Sequence, residues 1–377
     1  MKILCIFGTR PEAIKMAPVV QRLRRQPEQF RLVTCATAQH REMLDQVLAL
    51  FDIVPDVDLN LMQPGQTPSQ VAARILTHLE PVLERERPDW VLVQGDTTTV
   101  LASAIAAHHL RIRVGHVEAG LRTGDRWNPF PEEMNRVLTD HVSDLCFAPT
   151  ERARQNLLGE GVPDRRILVT GNTVVDALLW IAQQPLSDET QTLFRQIGLD
   201  PHPQSAICLV TAHRRESFGR PLEQICHALR ELAQGGQGRI RIIYPVHPNP
   251  NVQEPVRRIL GDVPHVTLLP PLDYATLVHV MKRSRLILTD SGGIQEEAPS
   301  LGVPVLVLRE VTERPEAVEA GVARVVGTDP ERIVAEAMRL LNDPAAHAAM
   351  ARSVNPYGDG RAADRIAQAL LDNPTDA

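Results

Sequence analysis

Residues Leu286–Glu297 read LILTDSGGIQEE and predict a strand followed by a tight turn and a helix. The apolar run Leu286–Leu288 has the length of a buried strand, and a helical pattern begins at Ile294 after a pair of glycines. A strand-to-helix turn built on glycine brings backbone N–H groups to the positive end of the helix, where phosphate binds. Glu296 and Glu297 suit the hydroxyl groups of a sugar attached to that phosphate. An ordinary tight turn with solvated acids is the competing interpretation.

The same alternation of strand-like and helix-like segments continues along the chain. Apolar residues recur at helical spacing in stretches such as Glu12–Arg25, Ser69–Glu86 and Leu222–Leu232. The alternation predicts an α/β fold with parallel sheets and crossover helices on both faces. A chain of 377 residues usually exceeds one core, so we expect two domains with a boundary between Val169 and Gln204. The predicted strands are Ile3–Phe7, Leu32–Cys35, Trp90–Val93, Val114–Val117, Ile167–Val169, Ala206–Val210, Ile240–Tyr244, Leu286–Leu288, Val305–Leu308 and Ala323–Val326.

Composition and missing motifs exclude several classes of protein. The net charge is −6 and no basic run stands out, which argues against nucleic-acid and membrane-surface roles. Five scattered cysteines, the absence of a signal peptide and the absence of a long apolar span predict a cytoplasmic protein with reduced thiols. The sequence has no P-loop, no metal-ligand spacing and no G-x-S-x-G elbow. The G-x-G-x-x-[GA] match at Gly358–Ala363 lacks a following βαβ unit, so we do not expect NAD. Because metal-ligand spacing is also missing, we expect no metal and no other cofactor.

Polar residues follow the predicted strands directly. Ligands of open parallel sheets bind beyond the carboxyl ends of the strands, so these residues are candidates for a site. They predict a cleft between the two domains, with acids on the N-terminal wall and phosphate-binding groups on the C-terminal wall. The segments are Gly8–Lys15, Gln94–Thr97, Glu118–Thr123, Thr211–Glu216, Pro245–Asn249, Asp290–Gly293 and Arg309–Glu316.

The segment Pro131–Arg136 begins a predicted helix with proline and acids in its first turn. Glu132 and Arg136 are four residues apart and therefore share a helix face. They form either a surface salt bridge or a pair that holds a carboxylate in the cleft, and both interpretations stay open at this point.

Longer motifs stand in a fixed order along the chain: FGTRPEAIKMAP at Phe7–Pro18, QHREMLDQ at Gln39–Gln46, GDTTT at Gly95–Thr99, GHVEAGLRT at Gly115–Thr123, PFPEEMNR at Pro129–Arg136, TAHRRESFG at Thr211–Gly219, DSGGIQEEAPSLGVPVLVLRE at Asp290–Glu310, TERPEA at Thr312–Ala317 and NPYGDG at Asn355–Gly360. From end to end they resemble the non-hydrolysing UDP-N-acetylglucosamine 2-epimerases of bacteria.

That resemblance implies a GT-B-like fold of two Rossmann-like domains facing a cleft. The N-terminal domain would comprise residues 1–170 with a C-terminal helix, 358–377, that crosses back to it, and the UDP-binding domain would comprise residues 171–357. The resemblance also implies a cytoplasmic homodimer that acts in cell-envelope polysaccharide biosynthesis without a cofactor.

The chemistry of C2 inversion narrows the possible mechanisms. No carbonyl group acidifies the C2 hydrogen of a GlcNAc unit, so the enzyme either oxidises a neighbouring hydroxyl with NAD or expels UDP from C1. The second route passes through a 2-acetamidoglucal and ends with re-protonation from the opposite face and return of UDP. It requires a phosphate-binding wall and carboxylates that move protons, which the sequence offers.

The functional residues that the resemblance implies fall into two sets. The catalytic set is Asp96, Glu118, Glu132, Arg136 and His213, with the base and the acid left unassigned among the carboxylates. The substrate-binding set is Arg10, Lys15, Asp96, Glu118, His213, Leu272, Leu277, Ser291, Gly292, Gly293, Glu297 and Arg314, in which the loop Leu272–Leu277 would contact the uracil. Leu272 replaces the glutamine often found there, which indicates a base contact through the backbone.

A second, allosteric site for UDP-GlcNAc is a further implication of the resemblance. Gln39, His40, Arg214 and His247 match the pattern of members that bind UDP-GlcNAc as an activator. Glu42 and Gly65 stand where some of those members have Gln and Arg.

Three other functions remain open from the sequence. A hydrolysing epimerase would release ManNAc and UDP, and a GT-B glycosyltransferase would share the UDP wall but lack the acid set. A non-catalytic UDP-sugar sensor would have no need for so many acids.

Overall fold

The computed structural model describes residues 1–37, 41–63, 65–199 and 205–373. The chain divides into two compact units, Met1–Ala177 with Tyr357–Ala377, and Leu178–Pro356. The domain extents and the cleft expected from the sequence stay predictions.

The first unit contains a parallel sheet that has seven strands within the described residues, in the order β3-β2-β1-β4-β5-β6-β7. Its strands are β1 Lys2–Phe7, β2 Arg31–Ala36, β3 Val57–Asp58, β4 Trp90–Gln94, β5 Arg113–Val117, β6 Leu145–Ala148 and β7 Ile167–Val169. Its helices are α1 Arg10–Arg24, α2 Arg41–Leu50, α3 Pro68–Glu86, α4 Thr98–His109, α5 Glu132–Val142, α6 Glu151–Gly159 and α7 Thr173–Gln183, whose last residues belong to the second unit.

The second unit contains a parallel sheet that has six strands among the residues described, in the order β10-β9-β8-β11-β12-β13. Its strands are β8 Ala206–Thr211, β9 Ile240–Pro245, β10 Val266–Leu269, β11 Leu286–Thr289, β12 Val305–Val307 and β13 Ala323–Val325. Its helices are α8 Asp188–Gln196, α9 Arg220–Gly235, α10 Pro250–Leu260, α11 Tyr274–Arg283, α12 Gly292–Glu297, α13 Pro315–Glu319, α14 Pro330–Asn342 and α15 Pro344–Ala351, and the chain ends with α16 Ala362–Asp372 in the first unit.

The two sheets confirm the predicted α/β class with two Rossmann-like sheets. Strand order reverses between β1 and β4 in the first sheet and between β8 and β11 in the second. A doubly wound sheet binds ligands at such a switch point, beyond the carboxyl ends of its strands. Each unit therefore has one preferred place for a ligand, and the turns after these four strands define it.

Buried strands make the core of each unit. Ile3, Leu4 and Cys5 of β1 have no exposed surface, and neither do Leu286, Ile287 and Leu288 of β11. Strands that are buried on both faces read as continuous apolar runs, which is why sequence pattern alone located them.

The C-terminal helix packs back on the first unit, as the resemblance implied. The carboxylate of Asp176 in α7 accepts the backbone N–H groups of Ala362 and Ala363 at 3.2 and 2.9 Å, at the first turn of α16. Arg22 of α1 donates to Asp364 of α16. A carboxylate at a helix N-terminus accepts hydrogen bonds from N–H groups that have no partner within the helix, and its negative charge interacts favourably with the helix dipole. These contacts therefore fix where α16 begins.

Candidate active site

The carboxylate of Glu118 accepts hydrogen bonds from three side chains of the first unit. Glu118 follows β5 in a left-handed conformation with φ of 69°, and its side chain is buried. Its carboxylate accepts hydrogen bonds from Lys15 Nζ at 2.5 Å, Gln94 Nε2 at 2.5 Å and Asn172 Nδ2 at 2.8 Å. Lys15 was predicted to contact substrate, and it also balances the charge of Glu118. Gln94 and Asn172 position the same carboxylate and were not predicted from the sequence.

Asp96 lies on the neighbouring turn, after β4. Gly95 before it has φ of 89°, and a Cβ placed on Gly95 would lie 4.0 Å from Glu118 Oε2. Arg136 Nη2 donates to Asp96 Oδ2, and Asn135 Nδ2 donates to the Asp96 carbonyl at 2.9 Å. The turns after β4 and β5, beside the first switch point, therefore carry two predicted catalytic acids, each with its own cationic partner.

The partners of Arg136 correct one sequence interpretation. Glu132 was considered as its partner, but Arg136 pairs with Asp96 and, at 3.2 Å, with Glu133 Oε2. Glu132 is half-buried and makes no side-chain hydrogen bond within the described residues. The spacing of four residues placed Glu132 on the right helix face, but tertiary contacts of α5 decide which acid the guanidinium meets.

Glu133 has a supporting role that the sequence did not indicate. It is buried, and its Oε1 accepts the backbone N–H groups of Thr123 and Gly124, both at 3.0 Å. It thereby fixes the loop after β5 against the start of α5. The two adjacent acids therefore differ in role. Glu133 anchors the loop, whereas the carboxylate of Glu132 makes no hydrogen bond within the described residues and could contact a ligand.

Glu12 connects the two turns of the first switch point. It completes a capping box with Thr9 at the start of α1, and it accepts Gly8 N at 2.6 Å and Thr97 Oγ1 at 2.6 Å. Burial raises the pKa of this carboxyl, against the lowering effect of its hydrogen-bond donors. Arg10, the first residue of α1, is exposed beside this turn.

A buried network supports the turn behind Asp96. The ring of His116 lies between Asp140 Oδ1 at 2.6 Å and the Gly95 carbonyl oxygen at 2.7 Å. Burial alone would raise the pKa of Asp140, but His116 and Arg122 outweigh it and hold that pKa below its ordinary value. The network fixes the backbone at Gly95, and no local motif identified it because its members are far apart in the chain.

The second switch point carries the predicted phosphate-binding groups. The turn Ser291–Gly293 begins α12, and Ser291 N donates to Thr289 Oγ1 at 2.9 Å. A Cβ placed on Gly292 would lie 3.7 Å from Arg314 Nη2 and 3.8 Å from Arg214 Nη2. Two guanidinium groups therefore flank the glycine, which is the charge arrangement that a diphosphate requires.

The two acids of α12 have different surroundings. Glu296 is buried and forms an ion pair with Arg314 Nε, so it orients that guanidinium. Glu297 accepts the Tyr274 hydroxyl at 3.3 Å, and its Oε1 lies 3.7 Å from a Cβ placed on Gly293. Glu297 therefore faces the glycine turn and fits the predicted ribose acceptor, whereas Glu296 has another partner.

His213 follows β8 at this same switch point. Its side chain is 40% exposed, and its ring stacks on His247 with a centroid distance of 5.3 Å. Burial lowers the pKa of His213, Asp290 opposes that effect, and His247 and Arg214 add to it. The remaining predicted residues, Leu272 before α11 and Leu277 within it, are half-buried. Of the predicted allosteric set, Gln39 and His40 lie outside the described residues.

The cysteines and the metal-ligating side chain types of the described residues have the following surroundings. All five cysteines are buried there, and burial raises the pKa of each thiol, so none is an activated nucleophile. No three His, Cys, Asp or Glu side chains of the described residues come together as a metal site. Within the same residues, no helix is long and apolar enough to span a bilayer.

Comparison with known proteins places the chain in a family. The model of the UDP-N-acetylglucosamine 2-epimerase family matches residues 21–371. The UDP-N-acetylglucosamine 2-epimerase of Salmonella typhimurium is 58% identical over 371 residues, which cover 98% of each chain. The chain belongs to the UDP-N-acetylglucosamine 2-epimerase family. This confirms the resemblance of the motifs and the prediction of an isomerase.

Solved structures of the epimerase family agree over the full length. The UDP-GlcNAc 2-epimerase of Neisseria meningitidis, solved with UDP-GlcNAc, has a TM-score of 0.88 at 46% identity and covers 99% of this chain and 100% of its own. The enzyme of Methanocaldococcus jannaschii, solved with UDP-GlcNAc and UDP, has a TM-score of 0.79 at 35% identity, with coverage of 99% and 100%.

Proposed function

We propose that this protein interconverts UDP-GlcNAc and UDP-ManNAc by eliminating UDP and adding it back. The observation that carries the proposal is the complementary chemistry of the two switch points. The turns after β4 and β5, beside the first switch point, present the carboxylates of Asp96 and Glu118. The second switch point presents a glycine turn flanked by the guanidinium groups of Arg214 and Arg314. The relatives named for this activity, two of them solved with UDP-GlcNAc, support the same substrate.

The first unit supplies the proton chemistry. One carboxylate removes the C2 proton as the bond from C1 to oxygen breaks, and the electron pair of that bond leaves with the β-phosphate of UDP. The electron pair of the C2–H bond forms the double bond between C1 and C2 of a 2-acetamidoglucal. A second acid then returns a proton to the opposite face of C2 while UDP adds back to C1. Asp96, Glu118 and Glu132 are the candidates, and Arg136 and Lys15 form ion pairs with Asp96 and Glu118 that orient the two carboxylates.

The second unit stabilises the leaving group. The glycine turn offers N–H groups, Arg314 offers positive charge, His213 offers a ring N–H donor, and Glu297 accepts a ribose hydroxyl. Negative charge on the diphosphate grows as the C1 bond breaks, so fixed donors at this place stabilise the transition state more than the substrate. Such catalysis needs no redox partner, because elimination and addition move a proton and the UDP leaving group and transfer no hydride.

We also propose that the enzyme is a cytoplasmic homodimer and that a second UDP-GlcNAc molecule activates it. The two described members of the predicted allosteric set support an adjacent second site. Arg214 lies next to Gly292, and His247 stacks on His213. Both residues are therefore neighbours of residues that are predicted to bind the substrate. A nucleotide sugar held by them would add contacts beside the diphosphate.

Solvent deuterium at C2 tests the proposed elimination. With UDP-GlcNAc in D₂O and no added metal or NAD, we expect deuterium at C2 of both sugar nucleotides, because the removed proton exchanges with solvent before its return. Proton NMR of the C2 position measures this directly. Epimerisation that retains the original C2 hydrogen, or that requires NAD, would contradict the proposal. Release of free ManNAc as the main product would instead identify a hydrolysing enzyme.

A further inference from the structure

Asp290 is a buried carboxylate with one unused oxygen. It lies between β11 and α12 and has no exposed surface. Its Oδ2 accepts the backbone N–H groups of His213 and Arg214, both at 2.7 Å. Its Oδ1 has no hydrogen-bond partner in the described part of the chain and lies 4.0 Å from His213 Nδ1. A buried polar atom without a partner costs free energy, so its persistence beside a predicted catalytic histidine indicates a role for this oxygen.

Burial and two neighbouring groups, His247 and Arg214, lower the pKa of His213. Arg214 is its chain neighbour, and His247 from the turn after β9 stacks on it with planes 16° apart. Arg314 lies near Arg214 at Gly292. Against these groups and burial, the carboxylate of Asp290 is the group that raises the pKa of His213. The protonation state of His213 therefore depends on one buried acid.

We propose that Asp290 is a positioning residue that accepts Nδ1–H of His213 when the diphosphate binds, so that Nε2–H donates to the departing phosphate. This inference rests on the proposed function and adds a residue that acts through His213. A neutral ring with its proton at Nδ1 would present a lone pair at Nε2, which repels an anion. A ring protonated at both nitrogens donates to the phosphate, and the carboxylate stabilises that form. A shift of about 1 Å brings Nδ1 and Oδ1 within hydrogen-bond distance.

The isosteric variant Asp290→Asn separates this role from the anchoring of the loop. Its amide oxygen takes the place of Oδ2 and still accepts the two backbone N–H groups. Its amide nitrogen takes the place of Oδ1 and presents a donor to His213 Nδ1. The variant therefore keeps the loop contacts and reverses the polarity at one atom.

We expect the pKa of His213 to fall by about 1 or more in Asp290→Asn, since an opposite charge nearby is lost. A fall of 1 reduces the protonated fraction about tenfold above that pKa. The alkaline limb of kcat should move to lower pH by the same amount, with KM little changed. Nitrogen-15 NMR of labelled histidine in the full chain, with the His213 signal assigned by its loss in His213→Asn, gives the pKa with and without UDP.

Tyr244→Phe is the control for general damage to the same loop. Its hydroxyl donates to the Ala212 carbonyl at 2.6 Å, so the variant loosens the backbone before His213 and leaves the Asp290 carboxylate intact. We expect no displacement of the pH profile in this control. Equal loss of activity at every pH in Asp290→Asn, with the pKa of His213 unchanged, would show that Asp290 only anchors the loop and would overturn the proposal.

The parent enzyme provides a test that requires no variant. With UDP bound, both ring nitrogens of His213 should carry hydrogen near neutral pH, and the neutral ring at higher pH should keep its proton at Nδ1. A neutral ring protonated at Nε2 would overturn the proposal. Deuterium incorporation at C2 is independent of these results, so failure of the Asp290 role and failure of the proposed epimerisation are distinguishable.

Discussion

Replacement of Asp96 by Asn should lower the epimerisation rate by roughly 10²-fold or more and leave the affinity for UDP within about a few-fold of the parent. The substitution removes a group that moves a proton or stabilises charge at the sugar, but it changes nothing at the glycine turn of the second unit. Glu132→Gln should behave in the same way. Because Glu132 has no side-chain partner within the described residues, its loss should not disturb the fold.

Glu297→Ala should give the opposite pattern. A buried ribose hydroxyl would lose its charged acceptor, which weakens UDP binding by ~1.5–3 kcal/mol. Glu80→Gln, which changes an exposed acid on α3, is the neutral control. Calorimetric titration of UDP into all four variants and kinetic assays check the comparison. Similar losses of UDP affinity in the Asp96, Glu132 and Glu297 variants would contradict the division of roles between the two units.

Replacement of His213 by Ala should lower kcat by roughly 10²-fold or more, as loss of a donor that stabilises transition-state charge often does. The imidazole beside the glycine turn would interact more strongly with UDP as its negative charge increases. KM should change much less than kcat, since the substrate diphosphate carries less charge than the departing one. Steady-state kinetics in both directions measure the two parameters.

His227→Ala is the matched control for this prediction. His227 is exposed on α9, in the same unit, and lies outside the predicted site. We expect parent-like kinetics from it. If His213→Ala raises KM and keeps kcat, then His213 binds the ground state and its proposed role in expelling UDP is wrong.

Strand pattern and strand-end chemistry were predictable because both are local. The run before Asp290 read directly as β11, and Asp96 and Glu118 became candidates because both follow buried strands. The predicted strands do not include β3, β6 and β10. Polar residues interrupt the apolar runs of β3 and β10, which read VD and VTLL, and the run Leu145–Ala148 of β6 follows closely after α5, so its pattern merges with that of the helix.

Partners from distant parts of the chain could not be predicted. Arg136 meets Asp96, forty positions away, because loops bring α5 to the turn after β4. Glu296 meets Arg314 in the same way, so an acid interpreted as a sugar contact orients a guanidinium instead. The unused oxygen of Asp290 is visible only when every neighbour of that carboxylate is placed. Local sequence supplies candidate residue types, whereas their pairing depends on tertiary structure.

In each turnover the bond between C1 and the phosphate oxygen should break and re-form, and positional exchange of oxygen-18 measures this. UDP-GlcNAc labelled at the oxygen that joins C1 to the β-phosphate is incubated with the enzyme, and NMR of phosphorus-31 follows the position of the label. Departure of UDP frees the β-phosphate to rotate, so the account predicts that label moves from the bridging to the non-bridging β-phosphate positions in both sugar nucleotides. Retention of all label in the bridge through complete epimerisation would contradict it.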